Sequence, residues 1–83
     1  MTYQLFTRVA LKEDLPAHGL QRGDVATIVE AHTGKAELEQ GYSLEISNAI
    51  GETIAVLAVR ESQIEPLAPD EVLHVRRLDE LLV

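Results

Sequence analysis

Carboxylates, imidazoles, hydroxyls and glycine turns are the groups from which a small protein builds chemistry, and this chain holds some of each. Its histidines, His18, His32 and His74, lie far apart and share no i, i+4 spacing. A metal site needs three or four ligands converging at about 2 Å on one ion, and nothing in this spacing brings them together. Paired acids occur at Glu13-Asp14 and at Glu37 and Glu39. A carboxylate does general acid–base work when a cleft desolvates it and lifts its pKa; in loops of a thin domain, solvated charge is the expectation. Ser43, Ser47 and Ser62 have no His at a spacing that links them, so no nucleophile–base pair is read. Gly19 and Gly23 lead into a β-branched run rather than a helix, and no Lys-Ser/Thr follows, which excludes a phosphate loop. The expectation is a protein that is not an enzyme, with no catalytic residue, no cofactor and no metal.

The elements that must position these groups are strands. Leu5 to Leu11 alternates, with Leu5, Thr7, Val9 and Leu11 on one face. The segment Glu13 to Asp24 follows, where Pro16 interrupts any ladder and Leu15 and Leu20 are the apolar exceptions. It is expected to fold back onto the core as a packed loop. Gly19 to Asp24 then delivers the chain into a second strand, Val25 to Glu30, which Val25, Thr27 and Val29 are expected to seat. Tyr42 to Ser47 alternates cleanly, with Tyr42, Leu44 and Ile46 inward. Asn48 to Glu52 reads as a hairpin loop in which Gly51 supplies a positive φ. Thr53 to Val59 carries no charge for seven residues, which suggests a central strand buried on both faces. Arg60 to Gln63 is one helical turn long, and Ile64 to Leu67 is a last short strand at an edge.

Eighty-three residues with 46% hydrophobic content allow one thin, aliphatic core. Five short strands, one long early loop and a one-turn helix before the last strand predict a mainly β fold, a small five-stranded SH3-like barrel. An OB-like barrel would need a helix between its third and fourth strands, and the spacing leaves no room for it. The barrel is expected over residues 1–67 and a hydrophobic C-terminal tail over 68–83. In the tail, Val72, Val75, Leu78 and Leu82 fall on a helical stripe. A helix is expected from Leu78 onward, while Val72–Arg77 fits a helical or an extended conformation.

Fourteen acidic residues against seven basic ones give a net charge of −7. Nucleic-acid affinity rests on clustered Lys and Arg against phosphates, so nucleic acid is not the expected partner. No stretch is long and apolar enough for a membrane span, and no membrane partner is expected. The absence of cysteine, together with an N-terminus lacking a charged start and apolar run, points to the cytoplasm. Glu13, Asp14 and His18 on the loop, and Val72, Leu73, Val75, Leu78, Leu81 and Leu82 in the tail, are the candidate partner-binding residues. The tail must cover its own barrel, a second copy or another protein. Arg22-Gly23-Asp24 followed by Val25 to Glu30 superficially matches the basic-Gly-Asp-aliphatic strand start of KOW-type RNA-binding modules. Any SH3-like barrel needs a turn glycine and a β-branched strand at that place.

Four stretches, Val9 to Leu20, Arg22 to Glu30, Gly51 to Leu57 and Gln63 to Leu67, resemble the small bacterial family catalogued as domain of unknown function 4926. The resemblance covers about residues 5–67. It rests most on Asp14-Leu15-Pro16, His18-Gly19-Leu20, Gly23-Asp24 and Thr27-Ile28-Val29-Glu30, which include several non-core residues. It implies an SH3-like fold in a short stand-alone protein, with no catalytic residues to carry over. It further implies one member of a two-protein module of toxin–antitoxin type, here the acidic, neutralising member facing a small basic toxin. The functional expectation is therefore a non-enzymatic protein-interaction module. The alternatives are a homo-oligomeric structural or regulatory protein, and a KOW-like nucleic-acid-binding module.

Overall fold

The computed structural model describes residues 3–33 and 39–78. Five antiparallel strands form one sheet: β1 (Arg8–Leu11), β2 (Val25–His32), β3 (Gly41–Ser47), β4 (Thr53–Arg60) and β5 (Ile64–Pro66). Their order across the sheet is β4-β3-β2-β1-β5. The mainly β expectation holds, but the sheet is not closed as a barrel. β5 is three residues long, ends at Pro66 and pairs only with β1, so it is too short to bridge to β4 at the far end.

One face of the sheet holds the core. Val9 and Leu11 from β1, Ala26 and Ile28 from β2, and Tyr42, Leu44 and Ile46 from β3 are buried together with Leu57, Val59 and Ile64. Burying an aliphatic side chain of this size is worth about 1.5–3 kcal/mol, so these alternating positions decide which way each strand faces. β3 takes the face its alternation predicts. β2 takes the opposite one: Ala26 and Ile28 point inward, while Val25, Thr27 and Val29 are half-buried on the other side. The preceding turn explains this. Gly23 donates to the Leu11 carbonyl at 2.9 Å, and Leu11 donates to the Asp24 carbonyl at 2.9 Å. Those two bonds set Val9 opposite Ala26, and residues directly opposite share a face. Gly23 has φ +94, a conformation that costs other residues dearly. Val29 is then the extra residue of a bulge, because Ile28 faces Leu44 while Glu30 faces Ser43.

Three further expectations change. β1 starts at Arg8 rather than Leu5, because Phe6 sits at φ 65 and breaks the extended run. β4 is an edge strand rather than a central one. Leu57 and Val59 are buried, but Val56 is 63% exposed and Ala58 is exposed as well. The hairpin pairs β4 with β3 on one side, and the chain then crosses to β1, leaving no described strand for the other side. The tail shows no helix over residues 71–78. A single turn forms, Glu71 donating to the Ala68 carbonyl at 3.1 Å, and further on the Arg76 side chain anchors the tail. Leu81 and Leu82, and with them the rest of the expected helix, lie outside the described residues. Among the described residues no helix is long and apolar enough to cross a membrane.

The Glu13–Asp24 excursion packs as its hydrophobes predict. Leu20 is buried and Leu15 packs against the core. The two backbones bond reciprocally, Leu15 N–H to Leu20 carbonyl at 2.9 Å and Leu20 N–H to Leu15 carbonyl at 3.2 Å. Between them Pro16–His18 makes one 3-10 turn, closed by Gly19 in the left-handed conformation. The hairpin loop also holds as expected, with Gly51 at φ +89. The Asn48 side-chain oxygen accepts from the amides of Ile50 and Glu52 there.

Candidate interaction site

Asp24 closes the long loop and also receives the tail. Its carboxylate accepts the Gln21 amide at 2.9 Å and both the Nε and a terminal nitrogen of Arg76, the Nε at 2.9 Å. Arg76 also donates to the Gly19 carbonyl at 3.4 Å and to the Arg77 carbonyl at 3.1 Å. The planar guanidinium matches a carboxylate edge-on, which fixes orientation as well as distance. The two side chains are only 24% and 17% exposed, so water screens this pair less than a surface one. Asp24 and Arg76 are separated by 52 positions, and no local pattern in the chain announces the pairing.

The Arg76 clamp holds the tail beside the start of β2 and the β3–β4 hairpin. Leu73 to Leu78 form one wall of a groove of about 770 Å³, whose other wall includes Arg8, Val25, Thr27 and Ile46. Val72, Leu73 and His74 also stand beside Ala10, Arg22 and Leu67. Of the candidate partner-binding residues, Leu78 packs against the core, whereas Val72 and Val75 are 92% and 89% exposed and Leu73 is exposed. The tail is therefore held in place with part of its apolar surface facing water.

The loop candidates have structural duties. Asp14 accepts the Arg22 amide at 2.9 Å, and Glu13 accepts the Gln63 side-chain amide at 3.1 Å, tying the loop to the turn before β5. His18 is exposed at the end of the 3-10 turn. Neither groove that the tail lines includes Glu13, Asp14 or His18. Glu39, read as solvated charge, accepts both the amide and the hydroxyl of Ser62 at 2.9 Å and lies 3.5 Å from Arg60. Glu37 lies outside the described residues. For the KOW-like match, Asp24 is committed to Arg76 and the Arg22 amide to Asp14.

Two polar clusters escaped sequence reading. His32 Nε2 stands 2.7 Å from Ser43 Oγ, correcting the expectation that no His is linked to these serines. The bulge after Ile28 places Glu30 opposite Ser43 and thereby shifts His32 into reach. The Glu30 carboxylate lies 3.8 Å from the same Nε2. A relay of the Ser–His–acid kind places acid and hydroxyl on opposite ring nitrogens, so this is a different arrangement, and it is exposed. In the second cluster, the buried Tyr42 hydroxyl accepts the Tyr3 amide at 2.9 Å and donates to Glu61 at 3.3 Å. The two rings meet edge to face at 5.6 Å. Burial pushes the Tyr42 hydroxyl above its usual pKa of 10.0, the Tyr3 amide pulls it back, and the Glu61 charge pushes it up again. Tyr3 is raised as well, first by burial and then by Glu61. Among the described residues no group of three or more His, Asp or Glu could hold a metal ion.

A single open antiparallel sheet, a clamped loop and an anchored apolar tail define a small β protein. The chain belongs to the family described as domain of unknown function (DUF4926), whose model matches residues 5–66. No curated protein and no solved structure matches it.

Proposed function

We propose that this chain is a non-enzymatic protein-interaction module of SH3-like organisation, acting in the cytoplasm, whose partner is a protein with a basic surface. The element order supports the SH3-like reading: a long loop after β1, a hairpin meander and a 3-10 turn before β5. The observation that carries the function is the tail. Arg76 fixes its path while Val72 and Val75 remain almost fully exposed, and a held apolar strip favours binding because less chain entropy is lost on docking. The net charge of −7 favours a basic partner and would speed its encounter. In a two-protein module this chain would be the acidic, neutralising, antitoxin-like member.

Copurification of the untagged protein from its own cells through a salt series tests the reading. A basic protein that coelutes at low salt, and is lost from a Val72→Lys/Val75→Lys variant, supports it. Recovery of the protein without any companion at every salt concentration overturns it.

A further inference from the structure

Arg76 holds two points of the long loop at once. Its guanidinium bonds the Asp24 carboxylate and the Gly19 carbonyl, the two ends of the turn that leads into β2. Inside that turn the same carboxylate accepts the Gln21 amide at 2.9 Å, and Asp24 donates its own amide to the Gln21 carbonyl at 3.1 Å. One carboxylate therefore serves a bond within the loop and a bond to the tail, 52 positions away.

Sharing the carboxylate ties the two bonds together. The Asp24 side chain is only 17% exposed. A shielded carboxylate that loses its counter-charge is drawn out toward water, and each excursion takes the acceptor away from the Gln21 amide. On the other side, no strand among the described residues includes any part of 67–78. Arg76, together with Leu78 on the core, holds that stretch. The deeper part of the loop has bonds of its own. Leu15 and Leu20 pair with each other, and Asp14 accepts the Arg22 amide at 2.9 Å.

We propose that Arg76 is a latch through which the tail and the Gln21 turn open and close as one unit. In the closed state Arg76 fixes Asp24, Asp24 fixes the Gln21 amide, and Val72 and Val75 are held out to solvent. In the open state Arg76 leaves, Asp24 turns to water and the Gln21 amide loses its acceptor. Such coupling is reciprocal: loosening the turn frees the tail, and fixing the tail tightens the turn. On the reading of Val72 and Val75 as the strip a partner takes, a protein seated there tightens the loop as it binds. A chain whose turn is loosened then binds that partner more weakly, in proportion to the closed fraction it has lost.

Amide hydrogen exchange read by NMR on the full chain, without any partner, tests the latch separately from the partner reading. Gln21 lies at the surface and exchanges through local opening rather than global unfolding. Arg76→Ala is expected to speed exchange of its amide at least about fivefold, the low end of coupling between linked sites, with an unchanged circular dichroism spectrum. The reverse direction uses Asp14→Ala, which removes the acceptor of the Arg22 amide and leaves Asp24 and Arg76 in place. It is expected to speed limited proteolysis within residues 67–78, since cleavage tracks the open population, and to add nothing in an Arg76→Ala background. Unchanged Gln21 exchange in Arg76→Ala overturns the proposal, because the loop then holds Asp24 unaided. So does tail cleavage that Asp14→Ala leaves unchanged, or raises equally in both backgrounds, which would route any coupling outside Arg76.

Discussion

The two ends of the sheet solve the same problem in opposite ways. At the β5 end, the Ile64 amide is taken by the Glu61 carbonyl of the preceding 3-10 turn, and Pro66 has no amide to offer. The strand is three residues long, and the tail passes beside it at Glu65 and Leu67. At the β4 end, eight residues run along the edge with outward-turned amides at Val56 and Ala58. A sheet must end somewhere, and strand edges invite pairing unless guarded. One edge thus offers no outward backbone donor, while the other keeps those of Val56 and Ala58.

The largest effect should separate the two faces of β4 itself. Leu57→Ala removes a buried side chain opposite Leu44 and should cost about 2–5 kcal/mol, a large share of the stability expected for a domain this small. Val56→Ala, one residue away on the outer face, should change the stability of the monomer by under about 0.5 kcal/mol. Urea unfolding of dilute protein checks both. Equal losses would mean that β4 is covered on both sides, and the contrast between the edges would vanish.

Next comes the clamp at the guarded end. Arg76→Ala should cost about 1.5–3 kcal/mol, the range for hydrogen bonds to charged groups, since Asp24 would be left half-buried with only the Gln21 amide. Limited proteolysis should then cut within residues 67–78 faster than in the wild type. If Asp24→Asn/Arg76→Ala loses as much as the two single variants added together, the two residues do not interact energetically, and the tail is held by packing alone.

What the sequence showed and hid follows the range of the physics involved. β3 was legible because Tyr42, Leu44 and Ile46 alternate without interruption, and the hairpin because Asn48 and Gly51 have turn chemistry of their own. β2 was read on the wrong face because its parity depends on bonds between Gly23, Asp24 and Leu11, which lie outside the strand. The uncharged run of β4 suits burial on two sides, but whether a strand is central depends on where the chain goes next. Asp24–Arg76, Ser43–His32 and Tyr42–Glu61 join positions with no shared periodicity. The tail's apolar content was visible, while its path depends on the distant Asp24.

A smaller effect sits where β4 hands over to β5. Tyr42→Phe removes the acceptor of the Tyr3 amide and the bond to Glu61, and should cost about 1 kcal/mol. The pH dependence is more specific. The folded-state pKa values of Tyr3 and Tyr42 are raised, so the unfolded chain releases these protons first. Their contribution is fully present below about pH 10, the ordinary tyrosine value, and is lost as pH rises through the raised folded values. Thermal unfolding from pH 8 upward should show stability falling above that point, with a shallower fall in Tyr42→Phe. An identical slope in the variant would assign the alkaline loss to other groups.

The smallest effect is the most direct probe of how the β5 edge is protected. Pro66→Val restores one outward donor opposite Val9. It should cost about 0.4–1 kcal/mol, because the unfolded chain regains freedom that proline withholds. Association should not change: one donor on a three-residue strand cannot anchor a second chain, and the Ile64 amide remains engaged by the turn. If Pro66→Val instead dimerises in a Val56→Lys background, proline alone was guarding that end. The asymmetry between the two edges would then rest on one residue rather than on strand length, the turn and the tail together.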